Sequence, residues 1–85
     1  MPKVAWLRII WNNINLTKIA DRDLTPEEVD EVIQCPYDVT ISRASGRRLH
    51  FGYTSTGRYI GVPLDIIDED SVYPVTAFDA QEPVE

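Results

Sequence analysis

With one cysteine (Cys35) and one histidine (His50) in 85 residues, the sequence excludes an intramolecular disulfide and any zinc site of Cys/His spacing. It has four glycines, and they do not fall in the pattern of a phosphate-binding loop or a dinucleotide fold. No stretch approaches the roughly 18 apolar residues that a membrane-spanning helix needs. The first residues lack the basic start, long apolar run and small-residue cleavage site of a secretory signal. These absences predict a cytoplasmic protein in a reducing compartment, with no metal, no cofactor and no membrane association. Cys35 stands beside Pro36 at the end of a predicted helix, and the only histidine lies well downstream. It is therefore expected to be a buried structural thiol and not a nucleophile.

What the chain does have is apolar and aromatic content, at 44% hydrophobic residues with two Trp, four Tyr and two Phe. That is the composition of a folded chain, and the length suits one domain, read as residues 1–80 with a polar tail over 81–85. A domain of this size has a thin core and gains from a partner that covers part of it.

Residues 4–10 (VAWLRII) are apolar and β-branched, as in a strand. Asn12 or Asn13 then caps a short helix carrying Ile14, Lys18 and Ile19. A second helix opens on Thr25-Pro26-Glu27-Glu28, with a capping Thr, proline at the first helical position and Glu three residues after the cap. Leu24 and Val29 have the spacing of a hydrophobic staple, and Val29, Val32 and Ile33 form its buried stripe. After Pro36 the period changes to two. Val39 and Ile41 alternate with Thr40 and Ser42 in a half-buried strand, and residues 44–47 turn. Leu49, Phe51 and Tyr53 alternate with His50 and Gly52, and Ser55-Thr56-Gly57 turns again. Residues 59–67 form a third strand whose Pro63 suggests a sheet edge or a bulge. Residues 72–78 form a fourth, and the polar stretch from Asp79 onward is expected to fray. The predicted class is α+β, with two N-terminal helices packed on a curled antiparallel sheet of four to five strands.

Charge is unevenly spread. The net charge is −6, from 8 basic and 14 acidic residues, which taken alone disfavours nucleic acid. Yet no acid occurs from Val39 to Leu64, a window holding Arg43, Arg47, Arg48, Arg58 and His50. Strand alternation places Arg48 and His50 on one face, opposite Leu49 and Phe51. Guanidinium groups bind phosphate bidentately, and an imidazole beside them can act as acid or base. Tyr53 and Tyr59 are candidates to stack on a nucleobase. The competing reading is a solvated face whose arginines pair with carboxylates and discourage edge-to-edge association.

The order of signals resembles the small BrnT-like toxins of the RelE/ParE-type superfamily. The matching stretches are Trp11-Asn12-Asn13, Lys18-Ile19, Leu24-Thr25-Pro26-Glu27-Glu28-Val29, Ser45-Gly46-Arg47-Arg48, Gly52-Tyr53-Thr54-Ser55-Thr56-Gly57-Arg58-Tyr59 and Val72-Tyr73-Pro74-Val75-Thr76-Ala77. The resemblance spans about residues 6–80. It implies a component of a bacterial type II toxin–antitoxin pair, acting as a metal-independent endoribonuclease and held in check by a cognate antitoxin through which oligomers form. Transferred by position, Lys18, Arg48 and Arg58 would bind the scissile phosphate and stabilise the charge developing on it during attack by the ribose 2′-hydroxyl. The candidate catalytic set is then Arg48, His50 and Arg58, with Lys18, Arg43, Arg47, Tyr53 and Tyr59 contacting RNA. The chain departs from the pattern at two places. Arg22-Asp23 stands where such toxins have His-Gly, and Phe78-Asp79 with an acidic tail stands where an arginine and a basic helix follow. An alternative from another class is a catalytically degenerate member of the fold, working as a protein-binding module whose basic hairpin docks an acidic segment. A third is a structural domain without a ligand.

Overall fold

The computed structural model describes residues 8–83. Residues 4–7 of the first predicted strand lie outside that range. Its remainder pairs as β1 (Arg8–Ile9), followed by α1 (Asn13–Ala20) and α2 (Pro26–Gln34). The strands β2 (Asp38–Ile41), β3 (Arg48–Tyr53), β4 (Tyr59–Ile66), β5 (Ser71–Pro74) and β6 (Phe78–Asp79) complete the described residues. Neither helix is long and apolar enough to cross a membrane.

Both helices begin where their sequences supply reciprocal caps. The Asn12 side chain accepts from the backbone of Ile14 and Asn15, while Asn15 Oδ1 accepts from the Asn12 N–H at 2.8 Å. Thr25 and Glu28 form the same exchange at the start of α2. Asn15 is fully buried and also donates its amide to the carbonyls of Ile10 and Pro74, both at 2.9 Å. One polar side chain thereby ties the exit of β1, the start of α1 and the end of β5. Ile14, which precedes it, points to solvent.

The strands form one sheet in the order β1-β5-β4-β3-β2, with β6 paired to β4 beyond the end of β5. The expectation of an all-antiparallel sheet of four to five strands is corrected in two ways. β1 runs parallel to β5, with Arg8 opposite Ser71, so the sheet is mixed. The stretch 72–78 is two strands, because β5 ends at Pro74 and β6 begins at Phe78. Asp79, read as the start of a fraying tail, belongs to β6.

Pro63 lies in a central strand and not at an edge. It is tolerated because β4 exchanges partners there. β5 pairs with Leu64–Ile66 and β6 with Ile60 and Gly61. Pro63 accepts from the Val75 N–H at 2.9 Å, so its missing donor faces the gap between those two partners.

The helices cover one face of the sheet. Ile19, Leu24, Val29, Val32 and Ile33 pack against Ile60, Val62, Leu64 and Val72. At about 25 cal/mol per Å² this buried apolar surface is the main stabilising contribution. The helical layer stops short of β2, which corrects the expected half-buried strand: all four of its residues are exposed, Val39 and Ile41 included. Cys35 is likewise exposed, contrary to its expected burial, because it caps α2 at the edge of that layer.

Candidate functional site

Strand alternation does place Arg48 and His50 on one face, and it is the face turned toward the helices. His50 is fully buried. Its Nδ1 lies 3.0 Å from the Ile33 carbonyl at the end of α2, and its Nε2 lies 2.9 Å from Arg48 Nε. A carbonyl only accepts and a guanidinium only donates, so the ring is neutral with its proton on Nδ1. Burial, and then the Arg48 charge, hold its pKa below 6.5. The imidazole positions Arg48 and has no open side from which to reach a substrate.

Arg48 sits where β3 leaves the helical cover. Its terminal nitrogens make no hydrogen bond or ion pair among the described residues. They front a shallow groove of about 350 Å³ whose lining includes Ile41, Arg47, Leu64 and Ile66. Ile41 and Ile66 are 59% and 51% exposed, so the groove combines bare apolar surface with a cation. Arg43 is exposed in the adjoining turn and makes no ion pair among the described residues. Arg47 lines the same groove, but its Nε donates to Asp65, which lines it too, at 2.8 Å.

Arg58 is not part of this group. Tyr59 pairs with Tyr53 and Leu64 with Arg48, which puts Arg58 at the opposite end of β4, roughly 20 Å away at about 3.3 Å per residue. The expected convergence of Arg48, His50 and Arg58 is corrected accordingly: the first two touch and the third is remote. Its donors are committed as well. Nε and Nη2 bond the Asp79 carboxylate at 2.8–3.1 Å, Nη1 bonds the Asp23 carbonyl at 2.7 Å, and Nη2 bonds the Arg22 carbonyl at 2.8 Å. Asp23 presents its carbonyl from the left-handed region, at φ 56°. Arg58 thus clasps the loop after α1 to β6.

Lys18 lies exposed in the last turn of α1, where a cation favours the helix end. The candidate stacking residues Tyr53 and Tyr59 occupy the opposite face of the sheet. Tyr59 is only 8% exposed, packed 4.8 Å from Tyr53 and 6.2 Å from both Phe51 and Tyr37, which corrects its expected role as a stacking platform. Burial, then the nearby Asp38 carboxylate, raise its pKa above 10. Tyr53 and Tyr37 remain open, at 45% and 61% exposure. Sequence reasoning did not single out Tyr37, although an aromatic residue after a helix-ending proline was the available signal.

Among the described residues, no group of three or more His, Cys, Asp or Glu side chains is placed to hold a metal ion. The basic window therefore resolves into three parts: an open arginine groove, a surface ion pair and a structural clasp. Compared with known proteins, the chain matches no family model, no curated protein and no solved structure.

Proposed function

We propose that this chain is a non-catalytic member of the BrnT-like toxin class, a protein-binding module that docks an acidic, amphipathic segment of its cognate antitoxin. The observation that carries the reading is the groove at Arg48, where a guanidinium with unused donors stands between exposed Ile41 and Ile66. Such a surface fits a segment that brings a carboxylate to the guanidinium and covers the two isoleucines with apolar side chains. A nuclease needs an acid or base in reach of its phosphate-binding groups, and here the only imidazole is buried while Arg58 is occupied elsewhere. The family part of the reading is supported by Asp23, which stands where the resemblance has glycine and adopts the backbone region that glycine favours.

Induced expression in bacteria tests it. Cells making the wild-type protein are expected to grow normally with intact total RNA. Growth arrest with RNA loss, relieved by Arg48→Ala in a variant that still folds, would instead favour an endoribonuclease. Binding is read directly by titrating the protein with an acidic amphipathic peptide. Arg48→Glu is expected to weaken it about tenfold or more, since it sets like charges against each other.

A further inference from the structure

On the face of the sheet away from the helices, Phe51, Tyr53, Tyr59 and Phe78 form a continuous aromatic array, extended at its rim by Tyr37. Phe51 and Phe78 meet edge to face at 6.3 Å, and Tyr37 meets both Tyr53 and Tyr59 in the same manner. Gly61 makes the array possible, because a Cβ there would come within 2.9 Å of both phenylalanine rings. The outer sheet face of a small α+β domain ordinarily carries polar side chains. A run of rings on that face requires another explanation.

Between Tyr37, Phe51 and Tyr59 lies an open groove of about 270 Å³, bordered by the exposed Asp38. Pro83 and Gln81 of the chain's own C-terminal segment line its far side. Pro83, itself exposed, thus forms one wall of the groove. The charge at this surface is acidic. Asp38 makes no ion pair among the described residues, Glu82 stands next to Pro83, and the nearest arginine, Arg58, is taken by Asp79.

We propose that this aromatic groove docks a proline-rich segment of a partner protein that carries a basic residue. Proline rings pack flat on aromatic faces, and a polyproline helix is pre-formed, so little conformational entropy is lost on docking. Prolines lack the N–H that would otherwise need a partner on this ring-covered surface, where the β3 and β4 backbone is already paired. Asp38 selects a cation at one end of the segment. The same carboxylate repels a polyphosphate, which sets this surface apart from the aromatic platforms of RNA-binding sheets. The site lies on the other face from the Arg48 groove and goes beyond the function proposed above.

Isothermal titration of the full chain with a synthetic proline-rich peptide bearing one arginine, and with its Arg→Gln analogue, tests the proposal. Saturable binding is expected. Tyr37→Ala should weaken it about tenfold, since it removes one aromatic wall of the groove. Asp38→Asn should weaken the arginine peptide about threefold and leave the glutamine analogue unchanged. Tyr37 and Asp38 are exposed, so circular dichroism is expected to show wild-type folding in each variant. Asp38→Asn removes only a charge and keeps the test valid if the tyrosine variant misfolds. Absence of saturable binding to the wild-type chain would overturn the proposal. So would an affinity unchanged in folded Tyr37→Ala, or binding of an oligouridine RNA that depends on Tyr37.

Discussion

Arg48 donates its Nε–H to His50 Nε2 across 2.9 Å, and the far side of the same ring is held by the Ile33 carbonyl at 3.0 Å. The chain Ile33–His50–Arg48 runs from the buried end of α2 along the helix-covered face of the sheet to an open groove. Each donor in it has an acceptor only while the imidazole is neutral, because a second ring proton would be directed at the guanidinium.

Stability is therefore expected to fall on mild acidification. His50 has its folded-state pKa below 6.5, so the unfolded chain takes up more protons as the pH drops through that value. Stability is full above about pH 6.5 and declines as the pH falls toward the lowered folded-state value. Thermal unfolding followed from pH 8 to pH 5 should show a falling Tm, and His50→Gln should flatten that part of the profile. An equal slope in both proteins would refute the assignment.

Arg58→Ala should cost about 1–3 kcal/mol in denaturant unfolding, chiefly through the loss of hydrogen bonds to the Arg22 and Asp23 carbonyls. Asp79→Ala should cost less than about 1 kcal/mol, because that carboxylate is 61% exposed and solvent screens the pair. Arg58→Lys should not restore stability, since an ammonium lacks the fork that reaches three partners at once. If the aspartate substitution proved the costlier of the two, the clasp would have been misassigned.

A methyl group at Gly61 has no room between the Phe51 and Phe78 rings. Gly61→Ala is expected to lower stability by about 1–3 kcal/mol and to alter the near-ultraviolet circular dichroism of the aromatic array. Gly46→Ala makes a useful contrast, for it meets no atom within 4 Å and its cost is that of the positive φ alone. Indistinguishable spectra for wild type and Gly61→Ala would argue against the ring packing.

Local signals carried much of this fold. Thr25-Pro26 with Glu28 marks the start of α2 because capping is a matter of neighbouring residues, and period-two alternation marks β3 in the same way. What stayed hidden depends on partners distant in the chain. The pairing of β1 with β5 has no local signature, and the exposure of Val39 and Ile41 follows from where the helical layer ends. At the site, alternation correctly put Arg48 beside His50, since that is strand geometry. Alternation cannot tell which face the helices cover, so the burial of His50 was not legible. The commitment of Arg58 was equally out of reach, because Asp79 becomes its partner only once β6 has returned to β4.

The parallel contact between β1 and β5 also constrains the order in which the molecule is made. Arg8 finds its neighbour only at Ser71, and Asn15 completes its hydrogen bonds only when Pro74 arrives. During synthesis the opening segment must wait, with its partner edge absent, until most of the domain has left the ribosome. The hairpins of the meander close over short loops and can assemble before the leading strand docks. A truncation that removed residues beyond 70 would thus unfasten the front of the protein as well as its back.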